Sequence, residues 1–156
     1  MAFLEKNKSP GVCPDTGVPL YRALVSGDLP AACLLAAPLL EQAKSEKLPA
    51  PTAFNCGLYL YQLGEYEKAL APLKQAEQAL GVPPDLGTQD KRLFLQALKT
   101  SGQVFLLPLD PQSGRGSERY FLIRVRWLAA LCLLQLKRRQ EAAPAIRFLA
   151  QYHIEL

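Results

Sequence analysis

The amino-acid sequence predicts an all-α chain assembled from helical hairpins, and three observations carry that expectation. From Val18 onward, apolar residues recur at intervals of three and four over most of the chain, the spacing of helices with one face turned inward. Glycines at positions 27 and 64 interrupt the pattern, and each is followed within two residues by a fresh helical run. The interruptions themselves repeat: a shift of 37 residues lays Gly27 on Gly64, Leu29 on Tyr66 and Ala32 on Ala69. A chain of 156 residues, 49% apolar and 21% charged, has the size and composition of one folded domain with its own core, and excludes a disordered tail or a two-domain enzyme. Its longest apolar stretch, residues 29 to 40 with Pro38 inside it, is too short for the roughly 20 apolar residues that span a bilayer. Charges at Glu5, Lys6 and Lys8 stand where a secretory signal would carry its apolar run. The expected setting is cytoplasmic, without membrane contact.

Residues 1 to 14 are polar, proline-broken and aperiodic, and read as a flexible lead-in to a single domain over 15 to 156. Pro19 to Val25 forms a short first helix ended by Ser26-Gly27-Asp28. Asp28 then caps a second helix that carries Pro30 in its first turn and runs to about Lys44, a pairing favoured at helix starts. Together they make a hairpin over about 16 to 45. A proline-rich joint from Ser45 to Thr52 opens a third helix that runs through Leu63 and is broken by Gly64. A fourth follows from about Tyr66 to Leu80, closed by Gly81 and the Pro83-Pro84 stop, which completes a hairpin over about 50 to 81.

Residues 82 to 117 form an insert. Within it, Leu93, Phe94, Ala97 and Leu98 make one helical stripe, which predicts an extra helix. Gln103 to Leu109 is apolar but interrupted by Pro108, and Asp110 to Ser117 has the composition of a mobile loop. Ser117 is placed to cap a long helix from Glu118 to about Leu136. Here the alternation of Phe121, Ile123 and Val125 with Leu122, Arg124 and Arg126 also fits a β-hairpin, whereas the unbroken apolar run from Trp127 to Leu134 favours the helix. A last helix near Gln140 to Tyr152 completes a third hairpin over about 118 to 153.

The middle hairpin, Ala53 to Ala76, resembles the tetratricopeptide repeat (TPR). Gly57 takes the small position where the two helices cross, Leu60 replaces the usual tyrosine, Gly64 and Tyr66 form the turn, and Ala69 and Ala76 are the small residues of the second helix. The tryptophan and closing proline of the pattern are absent; Ala53 and Gly81 stand in those places. A forward shift of 73 residues lays Ala130 on Gly57, Leu133 on Leu60 and Ala142 on Ala69. The outer copies are degenerate, in keeping with the end units of an array. Residues 19 to 23 also fit the opening of an ankyrin-like repeat, but the motif that should follow is missing.

The resemblance implies a right-handed αα-superhelix of about three TPR-like hairpins with an inserted helix and loop. It also implies a concave side, lined by the first helix of each hairpin, that receives an extended peptide or a partner helix. In that register Tyr21, Phe54, Leu58, Tyr61, Arg124, Trp127, Leu131 and Gln135 line the groove. It is apolar and aromatic, with Arg124 and its neighbour Arg126 adding charge at one rim. Members of the family that hold a chaperone's C-terminal carboxylate carry Lys, Asn and Arg at these places; Phe54 and Leu58 in the middle unit point instead to a hydrophobic peptide or amphipathic helix. The groove can equally be filled from within, by helix 88 to 101, by the segment Val104 to Leu107, or by a second copy of the chain.

Charge is unevenly distributed. Residues 1 to 86 hold 7 Lys+Arg against 9 Asp+Glu, and residues 87 to 156 hold 11 against 5, so the net +4 belongs to the second half. Such a half attracts an acidic partner or nucleic acid. No glycine-rich or aromatic nucleic-acid motif accompanies the arginines, so solvated helix faces account for them better. Cys13, Cys33, Cys56 and Cys132 form no Cys-x-x-Cys pair, and the only histidine, His153, lies far from them; the spacing argues against zinc. The last three cysteines sit in Ala- and Leu-rich stretches where a thiol packs as a small hydrophobe. Phosphate loops, nucleophile elbows and paired-carboxylate motifs are missing, so neither catalysis nor a metal or cofactor is expected. The expected function is that of a non-enzymatic interaction module or adaptor binding a protein or peptide. The alternatives are a self-associating structural module, its groove filled internally or by a homodimer, and a nucleic-acid-associated protein using the basic half.

Overall fold

A computed structural model of the protein describes residues 17–100, 104–113 and 116–156. The expected lead-in over 1 to 14, Cys13 and Arg115 lie outside the described residues. The described chain is all-α, with seven helices and no strand: α1 (Val18–Val25), α2 (Leu29–Gln42), α3 (Ala50–Gln62), α4 (Tyr66–Leu80), α5 (Thr88–Thr100), α6 (Glu118–Gln135) and α7 (Arg139–Ala150). A single 3₁₀ turn, Val104–Leu106, lies between α5 and α6. None of these helices is long and apolar enough to cross a membrane.

Proline and capping chemistry set the helix starts. Prolines fall in the first turns of α1, α2 and α3, where a missing N–H leaves no bond unmade. Asp28 accepts a hydrogen bond from the Ala31 backbone N–H at 3.1 Å. Ser117 does not act as expected. Its backbone is already helical (φ −92°, ψ −2°) and its side chain makes no capping bond; the Glu118 carboxylate instead accepts from the Gly116 N–H at 2.9 Å.

The three hairpin turns share one backbone solution. Gly27 and Gly64 have φ of +74° and +79°, and in the third hairpin the same place is taken by Lys137 at +61°. Position 137 is position 64 shifted by 73, so the internal repeat extends to the conformation of the chain. At each turn the following N–H bonds a carbonyl five residues back: Asp28 to Ala23 at 2.9 Å, Glu65 to Leu60 at 2.9 Å, and Arg138 to Leu133 at 2.8 Å. That bond satisfies a carbonyl the helix end would otherwise leave open.

Packing follows the hairpins. α1 lies against α2, α3 against α4 and α6 against α7, while α4 also packs on α6, so the second and third hairpins stack directly. Gly57 brings α3 and α4 together: a Cβ there would lie 2.7 Å from Cγ of Leu73 and 3.5 Å from the Ala69 carbonyl. Only hydrogen fits.

α6 is buried on both sides. Phe121, Val125, Leu128 and Cys132 join the main core with Leu20, Ala36, Phe54, Leu58 and Leu73. Ile123 and Ala130 join a second core with Leu149, Tyr152 and Ile154, against which α5 lays Phe94, Leu95 and Leu98. Residues 121 to 125, all within α6, are therefore buried without interruption, and a helix buried on all sides has no polar stripe by which its periodicity could be told from a strand's. The β-hairpin alternative is thereby excluded. The joint after α4 is tied to the chain end by Tyr152, whose hydroxyl donates to Asp85 at 2.6 Å and accepts from Arg119 at 2.9 Å. That hydroxyl holds the Asp85 carboxyl below its ordinary range.

Of the cysteines, Cys56 and Cys132 are buried as expected, and Cys33 is exposed. α2 turns Ala32, Ala36 and Leu39 inward, and Cys33 falls on the solvent side of that stripe.

Candidate functional site

The face expected to form a groove lies where α3 approaches α6, and it is covered. Residues Val104 to Leu109 run across it as a strap. The strap opens with its 3₁₀ turn, closed by a 3.1 Å bond from the Leu107 N–H to the Val104 carbonyl. Pro108 follows and prevents the turn from continuing. Leu109 ends 2% exposed in the main core, and Val104 is 8% exposed.

Asn55 anchors the strap. Its side-chain amide donates to the Leu109 carbonyl at 2.8 Å, and its side-chain carbonyl accepts from the Leu109 N–H at 2.8 Å. One buried amide thus satisfies both backbone groups of a residue 54 positions away, as a neighbouring β-strand would. The contact is independent of the side chain carried by the held residue.

Arg124 forms the second anchor. Its guanidinium donates to the Leu107 carbonyl and, at 2.8 Å, to the Tyr120 hydroxyl. It lies 5.3 Å from the ring centre of Phe54 and 5.7 Å from that of Tyr120, so aromatic faces supply part of the stabilisation that water would provide. Among the described residues Arg124 makes no ion pair, and its buried Nε has no hydrogen-bond partner. Burial lowers its pKa from the ordinary value, and Tyr120 opposes that change. A third contact sets Phe105 against Trp127, ring centres 5.8 Å apart.

The eight expected groove residues therefore divide. Phe54 and Leu58 are fully buried, and Arg124, expected as a rim charge, is 1% exposed beneath the strap. That expectation is corrected: the strap brings a backbone carbonyl to the guanidinium and shuts out solvent. Trp127 is half-buried under Phe105 and packs on the second core. Tyr61 is half-buried, set edge-on to Tyr66 at 5.4 Å. Tyr21 and Leu131 are half-buried and Gln135 is exposed; none of the strap's hydrogen bonds or ring contacts reaches Tyr21, Tyr61, Leu131 or Gln135. Of the two segments of the chain foreseen as fillers, the Val104 segment rather than helix 88 to 101 occupies the face.

Asn55 was not among the expected site residues. Its signal is the presence of an amide in the apolar run Ala53 to Leu60, since a buried amide requires partners. The sequence does not show where those partners lie.

Elsewhere, an apolar concavity of about 500 Å³ opens between α2 and α4, lined by Leu40, Leu60 and Pro72. The lysines at its edge, Lys44 and Lys68, pair with Glu41 at 3.0 Å and Glu65 at 3.9 Å. In the basic half, Arg126 pairs with Glu77 at 3.4 Å, Arg119 with Asp85 at 3.5 Å, and Arg138 with Glu67 and Glu141. No group of three or more His, Cys, Asp or Glu among the described residues is arranged to hold a metal.

The fold and site together define a class: an all-α chain of helical hairpins whose α3–α6 face holds the segment Val104–Leu109 by its backbone. Comparison with protein-family models, with curated proteins and with solved structures returns no match.

Proposed function

We propose that the protein is a non-enzymatic TPR-like interaction module whose concave face accepts a protein segment in extended conformation. One observation carries this reading: Asn55 pairs with both the N–H and the C=O of Leu109, a geometry that grips any extended backbone presented to it. The shared turn conformation at Gly27, Gly64 and Lys137 supports the repeat architecture, as does the close crossing at Gly57. In this reading the strap is the chain's own occupant of the groove, and the module is closed until the strap leaves. The internally filled alternative and the peptide-binding function are then two states of one site.

The test is a titration of the ¹⁵N-labelled full chain carrying Phe105→Ala, which loosens the strap at its ring contact, with a panel of apolar octapeptides. Binding is expected to move the Asn55 side-chain amide resonance in the variant and much less in the wild-type protein. If no peptide moves that resonance while the variant remains folded, the groove is not a peptide site.

A further inference from the structure

The strap displays the chemistry that its groove accepts, and the geometry points to a partner segment of pattern Val-Phe-Leu-x-Pro-Leu, its third residue packed on the main core as Leu106 is, bound as one tight turn followed by an extended Pro-Leu. This inference rests on the reading of the groove as a peptide site and adds what that site selects. At the last position a leucine-sized side chain is enclosed, with Leu109 2% exposed. The residue there must also offer an N–H to Asn55, which excludes proline. Proline one place earlier sets its own φ and drives the residue before it toward extended backbone, so the peptide arrives partly organised.

The Leu107 position is read differently. Its side chain is 52% exposed while its carbonyl accepts from Arg124, so the groove uses that residue's backbone and leaves its identity free. The aromatic ring two places before it is selected by Trp127, and the valine before that is enclosed at 8% exposure. Discrimination therefore comes from the side chains at positions 104, 105, 106 and 109, the proline at 108, and three backbone groups, the Leu107 carbonyl and the N–H and carbonyl of Leu109. The tethered strap competes at high effective concentration, and a free peptide binds in proportion to the fraction of molecules whose groove is open.

The experiment measures fluorescence anisotropy of a labelled synthetic peptide with the sequence of residues 104–110 against the full chain, wild type and Phe105→Ala. A second variant, Pro108→Gly, loosens the strap without removing a buried side chain and serves if the first misfolds. The peptide is expected to bind the loosened chain at least about tenfold more tightly than the wild type. N-methylation of the peptide nitrogen at the Leu109 position should weaken binding about tenfold or more, through loss of the Asn55 bond. Alanine at the Phe105 position should weaken it by about tenfold, and serine at the Leu107 position should leave it within about twofold. Equal binding of a scrambled peptide overturns the pattern while leaving the groove as a peptide site. Absence of binding by any peptide to a folded, loosened chain overturns both.

Discussion

The α3–α4 hairpin and the strap over Val104–Leu109 fill the same core by opposite means. The hairpin satisfies its own backbone within its helices and needs its neighbours only for side-chain burial; Gly57, Ala69 and Leu73 complete the fit locally. The strap has one internal turn bond and relies for the rest on Asn55 and Arg124, side chains distant in sequence. Each region carries a nearly inaccessible leucine, Leu58 in α3 and Leu109 in the strap. The hairpin's backbone is therefore satisfied locally, and the strap's by side chains of α3 and α6.

Substitution of Asn55 should separate the two regions most sharply. Asn55→Leu leaves the N–H and C=O of Leu109 buried and unpaired, and a loss of about 4 kcal/mol is expected from two such groups. Chemical denaturation measures it. A loss below about 1 kcal/mol would mean that the strap lifts away and rehydrates at little expense, so that the groove opens easily. Gly57→Val attacks the hairpin instead. With a Cβ already 2.7 Å from Leu73, overpacking of about 3 kcal/mol is expected, read as a lowered midpoint of thermal unfolding.

Alkaline titration probes α3 and α6 together. Burial pushes the Cys56 and Cys132 thiols up from 9.0 to about 12. The unfolded chain releases these protons near pH 9 and the folded chain holds them to about pH 12, so the folded state binds more protons across that window and stability falls as pH rises. About 1 kcal/mol per thiol should be lost by pH 10, and Cys56→Ala should reduce the slope. The smallest effect concerns the turns. Lys137 adopts the left-handed conformation that glycine takes at positions 27 and 64, so Lys137→Gly should raise stability by about 1 kcal/mol or less. A decrease would show that the third turn depends on more than its backbone conformation.

The legibility of each region follows the same division. α4 lies where the spacing places it, over Tyr66–Leu80, and the insert helix begins at Thr88 as its stripe indicates; periodicity, caps and glycine turns are short-range properties. The burial of Arg124 was not readable, because a cation one turn from Trp127 looks like a rim residue until a carbonyl from 17 positions away is laid upon it. Exposure of Cys33 was misread for a related reason. α2 is apolar nearly all round, so composition alone does not distinguish its inner stripe from its outer one. Asn55 carried a signal without a direction.

The sequence by itself determined that the described chain is helical, where the hairpins turn, and which small residues let α3 and α4 cross, because helix periodicity and backbone conformation depend on neighbours within a few positions. Only the tertiary structure decided that the α3–α6 face is occupied, by which segment, and through which side chains. Those contacts join residues up to 54 positions apart, and pairing at that range is selected by shape and unsatisfied hydrogen bonds in the assembled core rather than by any local pattern.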